Sequence, residues 1–206
     1  SKVQDVGGNY ILAAVPLFVF MGCMLERAGI AERLFEALYL WTRRLPGGLA
    51  VGAVLLGVIF AAASGVVGAT ETVIGLLAIP IMMKYGYNKS LIAGTICAGG
   101  SLGTVIPPSV LVVILAPIAD VSVGDLFAGL LFPGLLMAML FVLYIVIRCA
   151  LNPALAPHEM ADKGPEVPLL TMIRMTVLAV LPPLFLIFTV LGTILMGLAT
   201  TTEAAA

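Results

Sequence analysis

Long apolar runs separated by short polar stretches organise the 206-residue chain. A helix needs about 20 apolar residues to cross roughly 30 Å of hydrocarbon. Residues 9–25, 91–119, 126–147 and 175–199 approach or exceed that length. The run at 49–83 is long for one span and short for two spans with a loop. It predicts a re-entrant hairpin with arms over 49–63 and 71–83 and a tip at 64–70. Irregular backbone at membrane depth persists only where it is buried in protein or lines a cavity, and the small residues of AAASGVVGATET suit such a place. The run at 91–119 is interrupted by GGSLGTVIPPS (99–109). There Gly99, Gly100, Gly103 and the pair Pro107 and Pro108 predict two half-helices joined by extended backbone near the bilayer middle.

The remaining segments connect these runs. Within 26–48, AERLFEALYLWTRR sets Leu34, Leu38 and Trp41 on one helical face and Glu32, Arg33 and Glu36 elsewhere. This predicts an amphipathic helix lying at the interface with Trp41 and Tyr39 at headgroup depth, packed on a protein partner, or both at once. Polar stretches at 84–89, 120–125 and 148–174 read as loops, and Pro182 and Pro183 predict a kink in the last span. Three segments follow: 1–48, a span plus the amphipathic helix; 49–119, the hairpin and the broken helix; and 120–206, further spans and a polar loop.

Composition fits an all-α integral membrane fold. Hydrophobic residues make up 62% of the chain and charged residues 10%, against about 25% charged in soluble domains. A net charge of −1 leaves no basic patch for nucleic acid. Cys23, Cys97 and Cys149 fit neither a disulfide framework nor a zinc site, and His158 is isolated in a polar loop. Both ends read as cut, which predicts a fragment of a longer chain.

Charge placement tests the topology. If 49–83 enters and leaves on one side, loops 26–48, 84–89 and 148–174 share a side and carry nine of the ten Lys and Arg residues. The positive-inside rule makes that side cytoplasmic. Two complete spans in 49–83 would give the same parity, so charge supports an even number of crossings rather than the hairpin itself.

Two motifs carry chemistry. The SGVVGAT tip offers backbone groups that a regular helix would consume, with hydroxyls from Ser64 and Thr70. Half-helix N-termini attract anions and unwound carbonyls coordinate sodium. A small-residue helix contact through Gly65 and Ala69 is the competing reading. GGSLGTVIPPS is more specific, because helix packing has no use for adjacent prolines. Glu71, the one acid inside 49–83, reads either as a proton or cation site or as a carboxylate complementing the start of the second arm. Glu203 reads as a first-turn helix acid. Enzymatic readings fail: GVVGATET lacks the lysine of a P-loop, and Ser64 has no intramembrane base to activate it.

SGVVGATETVIGLLAIPIMMKYGY, GTICAGGSLGTVIPPS, LFAGLLFPG and GLATTTEAAA, preceded by PLFVFMGCMLERAGIAERL, resemble the large membrane subunit of tripartite ATP-independent periplasmic (TRAP) transporters, over about its first half. The resemblance implies an elevator-type, inverted-repeat importer in the bacterial inner membrane, of which this chain holds the first repeat. It implies sodium-coupled uptake of a small organic acid, delivered by a periplasmic binding protein, with a small four-helix membrane subunit as partner. Sodium would lie between Ser64 and Gly65 on the tip and Gly103, Ile106 and Pro108 at the break, held mostly by carbonyl oxygens. Hydroxyls of Ser64, Thr70, Thr104 and Ser109 would contact sodium and the substrate carboxylate. Many relatives carry a second serine where this chain has Val66, which leaves backbone as the ligating part of the tip. The second sodium site and half the substrate pocket would belong to the missing second repeat. Residues 49–119 would move as a rigid body against a scaffold of 9–25, the interfacial helix, 126–147 and 175–199. The alternatives are a structural or assembly subunit whose broken helices merely pack, and an ion channel.

Overall fold

The computed structural model describes residues 14–156, 169–198, 200 and 203–204. Among them, helix follows helix with little between: α1 (Ala14–Arg27), α2 (Ile30–Thr42), α3 (Gly48–Ser64), α4 (Val67–Lys84), α5 (Lys89–Val105), α6 (Val110–Ala119), α7 (Val123–Leu151) and α8 (Leu169–Leu195), with one 3-10 turn at Pro153–Leu155. No strand occurs among the described residues. By length and composition α4, α7 and α8 can each cross a membrane, and α5 with α6, bent by 41° at their break, make a fourth span if counted as one. The chain is a multi-pass, all-α membrane protein. Residues 9–13 of the first expected span and His158 lie outside the described residues.

α3 is the centre of the packing. It is apolar on every side, the pattern of a fully enclosed helix, and 14 of its 17 residues are buried. α4 folds back along it, and α5 lies against both. A Cβ added at Gly99 on α5 would stand 3.1 Å from Ile74 Cδ1 on α4 and 3.6 Å from the Ala53 carbonyl oxygen on α3. Ile74 and Ala53 lie at nearly equal distances in sequence on either side of Ser64, so the two arms run antiparallel.

Close backbone approach makes this possible. A Cβ at Gly57 would stand 2.8 Å from the carbonyl oxygen of Gly99. Lipid tails are as apolar as leucine, so helices associate there largely through dispersion between tightly apposed small residues. α7 and α8 are different: only 17% and 22% of their most apolar windows are buried. Phe132, Leu135, Met139, Phe185 and Phe188 are exposed on them, as lipid-facing side chains are.

Several boundaries differ from expectation. The tip is two residues, Gly65 and Val66, rather than 64–70, because Val67 already begins α4 and the Thr70 N–H closes on the Val66 carbonyl at 3.2 Å. The helical break spans Ile106 to Ser109, rather than 99–109, so Gly99, Gly100 and Gly103 remain helical. A glycine costs a helix only about 1 kcal/mol, and here the glycines admit neighbouring backbone and side chains. α7 extends through Arg148 to Leu151 and α8 begins before Arg174, which shortens the 148–174 connection at both ends. α8 continues through Pro182 and Pro183 as one element.

α2 packs against this chain's own helices. Leu34 is buried and Leu38 packs against the core. Trp41 stays half exposed while its indole N–H donates to Thr176 Oγ1 of α8 at 2.8 Å. Near the C-terminus, Glu203 behaves as the expected first-turn acid. It accepts from the Thr200 N–H (2.9 Å) and the Thr200 hydroxyl (2.7 Å), and its own N–H donates to Thr200 Oγ1 at 3.4 Å. This is a reciprocal capping box. Those bonds, the backbone one foremost, hold its carboxyl below the ordinary range.

Candidate functional site

The site begins with the way two helices stop. α3 ends because Gly65 turns left-handed, at φ 64, with its N–H closing on the Ala61 carbonyl at 2.8 Å. Val66 is extended and α4 starts at once. α5 ends because proline has no N–H to donate. The helical acceptors four residues before Pro107 and Pro108 are the carbonyls of Gly103 and Thr104, which therefore lose their partners. The Val110 N–H, which would bond to Ile106 in a continuous helix, bonds instead to the Gly65 carbonyl at 3.2 Å, which releases the carbonyl of Ile106. Among the described residues no backbone N–H reaches the carbonyls of Gly103, Thr104 or Ile106. The peptide bond joining Pro107 and Pro108 is cis.

Tip and break are in contact. The Pro108 carbonyl lies against Gly65 where a side chain would start, and Ser109 Cα lies 3.4 Å from that point. A Cβ at Gly103 would stand 3.4 Å from the Val67 nitrogen and 3.6 Å from Thr70 Oγ1. The hydroxyl of Thr70 donates to the Val66 carbonyl at 2.9 Å, so the 3.3 Å contact between Ser64 Oγ and Thr70 Oγ1 has Ser64 as donor. Ser64, Thr70 and Ser109 are all buried, the most accessible of them 1% exposed.

Ser109 is the unusual member. It occupies the N-cap position of α6, where a serine oxygen ordinarily accepts a helix N–H, yet its side chain makes no such bond. Its buried Oγ has no partner at all. A buried orphan hydroxyl costs about 1–3 kcal/mol.

The electrostatics follow from helix ends. The C-termini of α3 and α5 and the N-termini of α4 and α6 meet here. The first pair presents partial negative charge on carbonyls, the second partial positive charge on N–H groups. Neither N-terminus has a side-chain cap or an acid in its first turn. The free donors are carbonyl and hydroxyl oxygens, which suit a hard cation, with the two N-termini able to take a carboxylate. Among the described residues no group of three His, Cys, Asp or Glu residues converges.

Of the expected residues, Ser64, Gly65, Thr70, Gly103, Pro108 and Ser109 are brought together. Ile106 contributes its backbone to the break, while its side chain packs against Gly134 of α7, 3.1 Å from where a Cβ would be. Thr104 stands apart from the hydroxyls: its Oγ1 donates to the Ser101 carbonyl of its own helix at 2.7 Å. Glu71 is the fifth residue of α4, past the first turn, so it does not serve as an N-terminal acid. Its side chain lies against Gly100, with Oε1 3.0 Å from the Cβ position there, and lines an open groove with Thr72, Gly75 and Ile96. Sequence reasoning missed Gly22, where a Cβ would stand 2.9 Å from Ser64 Cβ. A lone glycine in an apolar run carries no signal of what it faces, so neither Gly22 nor Gly134 was legible.

The chain matches the model of the tripartite ATP-independent periplasmic transporter DctM component over residues 2–206. It is 37% identical over its full length to the C4-dicarboxylate TRAP transporter large permease protein DctM of Pseudomonas aeruginosa, covering 46% of that protein. The protein of the same name from Vibrio cholerae is 36% identical over 68% of this chain and 31% of its own length. An ectoine TRAP transporter large permease protein, TeaC of Halomonas elongata, is 31% identical over 66% of the chain and 32% of its own length. The chain thus spans less than half the length of these relatives, and it belongs to the DctM family of TRAP transporter large permeases.

Proposed function

We propose that the chain is the first repeat of a sodium-coupled importer of a small organic acid, with sodium held where the α3–α4 tip meets the α5–α6 break. The observation that carries this reading is the junction itself. The break leaves carbonyls without N–H partners after Pro107, Pro108 and the diverted Val110 N–H, and it ends in a buried hydroxyl, Ser109 Oγ, that has no partner. Sodium would draw on the carbonyls of Gly65, Gly103, Ile106 and Pro108 with hydroxyls of Ser64 and Ser109, and a substrate carboxylate would face the starts of α4 and α6. Thr104 would take part through its carbonyl. The relatives are named for C4-dicarboxylates and for ectoine, so the substrate class here is a small organic acid.

In this reading α3–α4 is a re-entrant hairpin opening to the cytoplasm, and α3 to α6 form half of an elevator body that moves against α1, α2, α7 and α8 in the bacterial inner membrane. The partners are a small four-helix membrane subunit and a periplasmic binding protein. Binding sodium would offset the orphan hydroxyl and exposed carbonyls, fixing the tip against the break and shaping the carboxylate pocket.

The test is uptake by the complete transporter in proteoliposomes, with sodium, potassium or choline at equal ionic strength. Thermal unfolding of the same protein in detergent accompanies it. A ligand at twenty times its Kd stabilises by about 1.8 kcal/mol. Sodium-specific stabilisation and sodium-driven, saturable uptake are expected. Conductance without saturation would favour a channel, and neither response would leave a packing role.

A further inference from the structure

A cavity of about 530 Å³ lies between α5 and α7, away from the tip and the break. Its volume falls within the range of about 300–1,000 Å³ typical of small-molecule sites. Its walls are mainly apolar, including Leu91, Gly94 and Phe141, and its polar members are Asn88, Ser90, Thr95, Tyr144 and Arg148. Asn88 opens α5 at the mouth and Arg148 stands near the end of α7. Among the described residues the guanidinium of Arg148 has no ion pair or hydrogen bond, and its side chain is exposed. Thr95 lies seven residues beyond Asn88, about 10 Å along the helix axis. Thr95 is 3% exposed, and its buried hydroxyl has no hydrogen-bond partner.

This is the chemistry of a site for an amphiphile. A cation with no partner among the described residues marks the mouth, an apolar wall follows, and a hydroxyl with no partner among them lies at depth. Buried hydroxyls are normally bonded, so an orphan calls for a missing acceptor. The cavity opens beside Leu140 and Tyr144, which are exposed on the apolar flank of α7. Lys84, Lys89 and Arg148 stand at or near helix ends on the side that charge placement makes cytoplasmic, where anionic lipid is attracted to basic residues near the surface. We infer that the cavity binds one anionic phospholipid. Arg148 takes the phosphate, the Thr95 hydroxyl donates to an ester carbonyl, and an acyl chain lies along Leu91, Gly94 and Phe141.

The substitution Gly94→Leu tests this cleanly. A Cβ at Gly94 would meet nothing within 4 Å, so the larger side chain fills the cavity without a clash at its base and favours the helix. The complete transporter, stripped of lipid in detergent, would be followed by native mass spectrometry and thermal unfolding. The probes are dioleoylphosphatidylglycerol, dioleoylphosphatidylcholine and inorganic phosphate. Phosphatidylglycerol is expected to bind and stabilise at least tenfold better than phosphatidylcholine. Arg148→Gln should erase that preference, Thr95→Val should weaken binding of both lipids severalfold, and Gly94→Leu should abolish it while leaving lipid-free stability and the sodium response intact. The inference is overturned if Gly94→Leu or Arg148→Gln binds phosphatidylglycerol like the parent, or if inorganic phosphate stabilises as strongly as the lipid. It is also overturned if Gly94→Leu keeps its lipid but loses a second membrane subunit, which would make the cavity a protein interface.

Discussion

The amide of Val110 donates to the carbonyl of Gly65 across 3.2 Å, tying the first residue of α6 to the last turn of α3. In an unbroken helix that amide would have bonded to Ile106. The hairpin tip therefore completes the hydrogen bonding of the broken helix while leaving carbonyls free around it. A site assembled this way depends on the mutual position of two backbones more than on any one side chain.

Gly65→Ala should break this junction. Alanine at φ 64 costs about 1–2 kcal/mol in the left-handed region, and its Cβ would collide with the Pro108 carbonyl. We expect a lowered unfolding temperature together with loss of the sodium-specific shift, read by thermal unfolding in sodium and in potassium. An unchanged shift would mean that sodium does not depend on the contact.

Ser109→Ala should act in opposite directions with and without the ion. Removing a buried orphan hydroxyl removes a desolvation cost of about 1–3 kcal/mol, so stability without sodium should stay level or rise. If that oxygen is a ligand, the apparent sodium affinity should fall about tenfold. Titration of the unfolding temperature against sodium separates the two effects, and a parallel loss in both would mark Ser109 as purely structural.

Gly57→Val should separate α3 from α5. A Cβ there would already stand 2.8 Å from the Gly99 carbonyl oxygen, which is backbone and cannot swing aside. Overpacking of this kind costs about 1–3 kcal/mol. Denaturation of the detergent-solubilised protein should show that loss, whereas Gly129→Val on α7, where a Cβ would meet nothing within 4 Å, should not.

Glu71→Gln should leave the sodium response within twofold of the parent. The carboxylate lies against Gly100 and an open groove rather than in the tip. A loss of sodium binding in this variant, measured by the same titration, would bring Glu71 into the ion site. An altered pH dependence of uptake with sodium binding intact would instead point to proton coupling.

The Thr200–Glu203 capping box should respond to acid. Hydrogen bonding lowers the carboxyl of Glu203 from its ordinary value of 4.5, so the cap contributes fully above that value and is lost as pH falls through the lowered one. Thr200→Val should return the titration of Glu203 toward 4.5, as followed by NMR of the labelled side chain.

The amino-acid sequence by itself determined the membrane character, the order of the apolar helices and the presence of a break at Pro107 and Pro108. These are local consequences. Apolar runs cannot be solvated, and a proline lacks its donor whatever surrounds it, at a cost of about 3 kcal/mol to a helix. The glycines were different. Gly99, Gly100 and Gly103 read as unwinding signals, yet they stay helical because their penalty is small enough for neighbours to decide. The tip was likewise legible as small and polar, but its shortening to Gly65 and Val66 followed from α4 starting at once against α5. Tertiary structure alone brought Ser64 onto Gly22, turned the Ile106 side chain to Gly134 and left the hydroxyl of Ser109 without a partner. Whether a buried oxygen is satisfied depends on every atom packed around it, and that is settled only when the helices meet.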